Sequence, residues 1–228
     1  MPERGQSYPA NALRASDKMY TALRATSLTL QDYLLGGFVA DPDLGPLFNL
    51  VLGGTMAVSL NDPEEMRTTN VDGVSLWLYR IERDDQRLNA PPTRPTPNRL
   101  VPTPLPLRLH YLVTPIVTID PAFPLVSPAR EQEILGKVLQ LLYEHPLLRG
   151  TDLRDTLTGS SETISVRLEP LTLEEITRVW TALQRPYQLS ISYEATLAMI
   201  APEVQPSVLT PVHLADPRWA VIGEEAPA

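Results

Sequence analysis

The chain has 228 residues, a net charge of −8 and 43% apolar residues, which sets one domain with length left over for arms and excludes a globally disordered chain. It contains no cysteine, so disulfides, thiolate nucleophiles and Cys-ligated zinc are excluded. The acidic balance, with no Lys/Arg run, argues against nucleic acid as a partner, because phosphate binding needs clustered positive charge. The first residues, MPERGQSYPANALRASDK, hold no signal-peptide core, and no stretch reaches the roughly 18 apolar residues of a membrane span. The expectation is a cytoplasmic chain without membrane insertion. Basic charge is almost all arginine, with Lys18 and Lys137 the only lysines; genome base composition explains this more simply than interface use.

In chain order, residues 8–35 carry Leu13, Met19, Tyr20, Leu23, Leu28 and Leu30 at loosely helical spacing, closed by Gly36-Gly37. DPDLGPLFNLVLGG reads as a short helical turn between breakers. TMAVSL, 55–60, is a strand candidate ending at the turn signal Asn61-Asp62-Pro63. VDGVSLWLYRIE, 71–82, is the strongest strand of the first half, with Val74, Leu76 and Leu78 on one face and Trp77, Tyr79 and Ile81 on the other. A strand apolar on both faces is either covered on both sides or has one face in an interface. Residues 89–106 hold seven prolines and read as an extended loop, neither helix nor central strand.

LRLHYLVTP, 107–115, alternates Leu107, Leu109, Tyr111 and Val113 with Arg108, His110, Leu112 and Thr114. That is a strand with one apolar and one mixed face, ending at Pro115. A helix is expected at 128–144, with Ser127 as N-cap, Pro128 at the first helical position and a stripe of Ile134, Leu135, Val138, Leu141 and Leu142. Pro146 ends it, and 149–161 reads as a loop. ETISVRLEP, 162–170, turns Ile164, Val166 and Leu168 inward. LTLEEI then sets a capping box between Thr172 and Glu175, stapled by Leu171 and Ile176, on a helix to about Leu183. Pro186 follows. YQLSISYEATLAMI, 187–200, alternates again, and 201–228 is proline-punctuated. The fold class is α/β or α+β, a single mixed sheet packed with helices. The chain divides into an N-terminal helical segment (1–54), an α/β domain (55–200) and an extended arm (201–228).

Chemistry is hard to find in these residues. His110, His145 and His213 lie at no metal-ligand spacing from one another. His145 precedes a proline at a helix end, where the ring is expected against terminal carbonyls. No Walker loop, dinucleotide fingerprint or nucleophile elbow is present. Glu174 and Glu175 are adjacent on a helix and so do not face each other, and Glu175 is used by the cap. Trp77 and Trp180 read as core. No catalytic residue, metal or cofactor is expected.

The order of motifs carries more than any one of them: VSLWLYRIE, a proline-rich loop, LPLRLHYLVTP, a helix ending LLYEHPLL, TISVRLEP, LTLEEITRVWTALQRPYQLSISYEA and a proline-rich tail. From about Val71 to Ile200 this series resembles the N-terminal domain of the cap, or tube-terminator, proteins of phage-tail-like contractile injection systems. The signature positions are Leu107, Leu109, His110, Tyr111, Thr114, Pro115, His145, Pro146, Glu174, Glu175, Trp180, Pro186 and Tyr187. The resemblance implies a compact unit similar to phage tail terminators, with six copies forming a ring that closes the distal end of inner tube and contractile sheath. It further implies a non-enzymatic role and partners in a homohexamer, the inner tube protein and the sheath protein, with the tape-measure protein a further candidate. The other readings are a phage tail terminator or adaptor and a small cytosolic enzyme or ligand-binding domain. The tail's Val208, Leu209, Val212, Leu214 and Trp219 supply more apolar surface than a linker needs; they read as an arm laid on a neighbour, or folded back on its own domain.

Overall fold

The computed structural model describes residues 20–86, 93–96, 99–101, 105–118, 126–200 and 207–208. Helix α1 (Ala22–Val39) leads into the short α2 (Gly45–Phe48) and a 3-10 turn at Leu50–Leu52. Strand β1 (Ala57–Ser59), helix α3 (Pro63–Thr68) and strand β2 (Gly73–Arg83) follow. Two short strands, β3 (Thr93–Thr96) and β4 (Arg99–Val101), precede β5 (Leu105–Ile116) and helix α4 (Val126–Glu144). The chain ends with β6 (Leu147–Arg149), β7 (Thr163–Glu169), α5 (Leu173–Ala182), β8 (Ile191–Ile200) and β9 (Ser207–Val208). The main sheet has the order β1-β2-β5-β8-β7-β6, antiparallel except for the β1–β2 pair, and β3, β4 and β9 form a second, small sheet.

Both faces of the main sheet are covered. Leu107, Leu109, Tyr111 and Val113 of β5 join Val74, Leu76, Ile164, Val166, Tyr193 and Ala195 in one core under α1 and α4. The Tyr111 hydroxyl meets Ser27 of α1 at 2.8 Å, so the deepest phenol of the core also ties helix to sheet. Burial pushes its pKa up, and the bond to Ser27 pulls back only in part. On the opposite face α5 sets Ile176 and Trp180 on Leu112, with Trp77 and Tyr79 packed around them. The two-faced strand of 71–82 thus has both faces used within its own chain.

Several local expectations change on folding. Gly36-Gly37 does not close α1, which runs on to Val39. Gly37 is instead where Leu141 of α4 packs onto the helix, filling the place of a side chain. Asn61-Asp62-Pro63 starts α3: the Asp62 carboxylate accepts from Glu64 N–H at 2.8 Å and Glu65 N–H at 2.9 Å, and Pro63 takes the first turn. Ser127 is not the N-cap of α4 but lies inside it, its hydroxyl donating to the Thr118 carbonyl at 3.2 Å. The stretch 149–161 contains two 3-10 turns that bury Leu153 and Leu157 against α1.

Ile81 does not share a face with Trp77. A bulge between Leu78 and Arg80 pairs Arg80 with His110 and Ile81 with Leu109, so the parity of β2 flips there. Pro115 does not end β5, which continues to Ile116; beyond Val113 the strand pairs with β2 alone, so a missing donor is tolerated. The proline-rich segment is partly strand. Pro95 sits between the paired positions Thr93↔Val101 and Thr96↔Arg99, where the register is irregular.

Two glycines give opposite expectations. Gly73 has φ +132°, and a Cβ there would run into the backbone of Ala57 on the paired edge strand. Gly73→Ala is expected to cost at least about 2 kcal/mol. Gly136, exposed within α4 with open space around it, is expected to gain about 0.5–1 kcal/mol as alanine. Urea unfolding of the two variants checks both signs.

Candidate functional site

The mixed face of β5 is where chemistry would lie, and its centre is a carboxylate at the end of β7. Oε2 of Glu169 accepts from Ser192 Oγ of β8 at 2.7 Å, from His110 Nδ1 of β5 at 3.0 Å and from the Tyr79 hydroxyl of β2 at 3.3 Å. Oε1 accepts from Arg80 Nη2 of β2 at 3.1 Å. One side chain therefore joins four adjacent strands. The bulge in β2 makes this possible, because it turns Tyr79 and Arg80 to the same side. His110 is 2% exposed, and its Nε2 lies 3.4 Å from Glu82.

A second ionic cluster continues along the same face. Arg108 Nη2 and Nε donate to Oδ1 of buried Asp84 at 2.8 and 3.1 Å. Buried Glu194, paired with His110 across β5 and β8, takes Arg167 of β7 at 2.9 Å. Each buried charge on this face has an opposite partner, as burial requires. For Glu169, burial alone would raise the pKa. The hydrogen bonds from Ser192 and His110, with attraction to His110 and Arg80, outweigh it and hold the carboxyl below its ordinary 4.5.

The arrangement links strands and does not build a nucleophile. A hydrolytic triad needs the serine on the histidine; here Ser192 and His110 bind the same oxygen of Glu169, and the carboxylate stands between them. Three cavities among the described residues lie away from this cluster, and none is lined by His110, Ser192 or Glu169. No group of three potential metal ligands occurs among the described residues. No described helix is long and apolar enough to cross a membrane.

The sequence-derived positions fall in several parts of the fold. Leu107, Leu109 and Tyr111 are core; buried Thr114 and Pro115 lie at the end of β5, the Thr114 hydroxyl without a partner among the described residues. Glu175 completes the capping box with Thr172, whose backbone N–H it accepts at 2.8 Å; that bond and the one to the Thr172 hydroxyl lower its pKa. Glu174 pairs along α5 with Arg178 at 2.6 Å. Trp180 is buried and donates to Ser190 Oγ at 3.0 Å, while Pro186 and Tyr187 are exposed in the turn beyond.

At the far end of α4, the expected contact of His145 with terminal carbonyls is made by another residue. Tyr33 donates to the Leu141 carbonyl at 3.0 Å, and the His145 ring stands edge-on to Tyr33 at 6.1 Å. The Pro146 carbonyl accepts from Val166 at 2.8 Å. Of the proposed arm, Val208 lies in β9, whose partners Arg99 and Leu100 belong to β4 of the same chain. Leu209, Val212, Leu214, Trp219 and His213 lie outside the described residues. Sequence reading missed Glu169, Arg80, Ser192 and the Arg108–Asp84 pair. The alternation of charges in YRIE and VRLEP marks their faces, but their meeting depends on strand order and on the bulge.

Comparison with known proteins decides the family. The model of the Pvc16 N-terminal domain matches residues 25–213. The chain belongs to the Pvc16 N-terminal domain family. Among curated proteins none matches it. Two solved structures share the fold. One is the sheath/tube terminator of an extracellular contractile injection system, PVC, in the extended state, at TM-score 0.53 and 19% identity, covering 92% of this chain and 66% of that one. The other is the tube-terminating cap of the anti-feeding prophage, at TM-score 0.53 and 18% identity, covering 90% of this chain and 62% of that one. This Pvc16-type chain therefore spans less than two thirds of either, and what it shares with them is the mixed sheet packed with helices.

The Glu169 clasp generates a stability prediction. His110→Ala is expected to cost about 1–2 kcal/mol, leaving half-buried Glu169 short of a donor. Because the Glu169 pKa is lowered in the folded state, its contribution is complete above the ordinary carboxylate value and is lost as pH falls through the depressed one. Glu169→Gln is therefore expected to be less stable at pH 7 and to lose less on acidification. Thermal melts between neutral pH and pH 3 read both effects.

Proposed function

We propose that this chain is a structural terminator. Six copies form a ring that closes the distal end of the inner tube and contractile sheath of a phage-tail-like contractile injection particle assembled in the cytoplasm. Its partners are further copies of itself, the tube protein and the sheath protein, with the tape-measure protein a further candidate, and it performs no catalysis. The observation that carries this reading is the family match across residues 25–213. Two features support it. The proteins sharing its fold are a sheath/tube terminator and a tube-terminating cap. The most polar buried cluster is spent on joining strands, which suits a rigid unit under mechanical load. Particles made without this subunit are expected to show sheaths of uncontrolled length and unanchored ends in negative-stain images. Adding it back restores a ring at one end. Unchanged length and end morphology in its absence would count against the proposal.

The arm belongs to the same proposal. Residues 209–228 would lie along a neighbouring subunit, with Val212, Leu214 and Trp219 as anchors, beyond the short pairing of β9 with β4 in the same chain. Removing 207–228 is expected to leave the melting temperature within about 3 °C, since of the described strands β9 alone is removed and the β3–β4 pair stays. Capping of tails becomes poor. A truncated chain that no longer folds would assign the arm to its own domain.

A further inference from the structure

The surface carries an apolar projection and an apolar groove on different parts of the fold. No charged residue occurs between Leu44 and Leu60. Within that stretch Leu50, Val51 and Leu52 are 79%, 92% and 68% exposed. Exposure of three consecutive aliphatic side chains calls for a partner. The projection is held rigid. Asn49 Oδ1 accepts from Val51 N–H at 2.9 Å, and the Asn49 carbonyl accepts from Leu52 at 3.0 Å and Gly54 at 2.9 Å. Gly53 closes the turn with φ +85°. Beneath it Phe48 is stacked on Phe38 with ring centres 4.2 Å apart.

The groove is a cavity of about 570 Å³ lined chiefly by Leu139, Tyr143, Pro146, Val166, Leu168 and Tyr193. It opens where the C-terminal half of α4 leaves the core-side face of β7 unroofed, so Leu168, turned inward by its alternation, remains half exposed. Arg167 is the one charged residue on its rim.

Topology sets these two features at opposite edges of the main sheet. The projection leads directly into edge strand β1, and the groove lies over β7 and β8, beside the other edge strand β6. A contact between unlike surfaces at opposite edges is heterologous, and it makes a ring where its rotation closes and an open filament where it does not. We propose that the Leu50–Leu52 projection of one copy seats in the Tyr143/Leu168 groove of the next copy, and that this is the contact between ring neighbours. The inference rests on the ring reading above and names its interface.

The absence of cysteine makes the test clean. In the full-length chain, Val51→Cys and Leu168→Cys are combined and treated with a bismaleimide of about 8 Å reach, which relaxes the strict geometry of a disulfide. The expected result is a ladder of linked species on denaturing gels extending above the dimer, whereas each single variant stops at the dimer. A ring seen by native mass spectrometry without species above the dimer would overturn this contact and leave the ring intact. A chain that stays monomeric alone and with the tube would overturn both. As a second measurement, Val51→Asp and Leu168→Lys should each lower the ring fraction at least about tenfold, because an unpaired charge is buried, with unchanged far-ultraviolet circular dichroism. Both changes in one chain should restore it. Full assembly by Val51→Asp would again overturn the contact.

Discussion

The structure depends on one requirement: β5 has no face in solvent, yet one of its faces carries an arginine and a histidine. An apolar face can be buried against helices at no polar cost. A charged face under the same burial must find partners for each group or unfold the sheet. The Glu169 carboxylate is the centre of the solution, since it receives donors from β2, β5 and β8 while standing on β7. Arg108–Asp84 and Arg167–Glu194 extend the same device along the strands. The order β2-β5-β8-β7 is thus written twice, in backbone pairing and in side-chain charge.

That double specification shapes the rest. The bulge at Tyr79 delivers two consecutive polar side chains to the clasp. Beyond it the same face turns apolar, and Trp180 of α5 seals Leu112. The capping box that starts α5 follows Glu169 by three residues, so the strand end bearing the clasp and the helix that covers the neighbouring apolar patch are fixed together. Both layers of the sheet are in this way braced within one subunit. Apolar side chains nevertheless stay exposed at Leu50–Leu52 ahead of β1 and at Leu168 on β7.

The strength of each local signal tracked how far its physics reaches along the chain. The Thr172–Glu175 box, the Leu171–Ile176 staple and the Ile134–Leu142 stripe depend on residues within two turns and stand as read. The alternation of LRLHYLVTP correctly separated core side from mixed side. Signals that depend on what the residue meets were misleading. Gly37 looked like a helix stop and proved to be a close approach to Leu141. Pro115 looked like a strand end and lies where β5 has a neighbour on one side alone. Asp62-Pro63 looked like a turn and begins a helix.

By itself the sequence determined the longer helices and strands and most of their buried faces, the absence of thiol chemistry and, through the order of its motifs, the family. Those properties follow from spacing and composition, which short-range sterics and hydrophobic periodicity translate directly into local structure. Tertiary structure alone decided which strands lie side by side, the parity change in β2, and that Ser192, His110, Tyr79 and Arg80 converge on one carboxylate. Up to 113 residues of chain separate those groups. Over such a distance no local preference acts, and only the free energy of burying a charged strand face with every partner in place selects the arrangement.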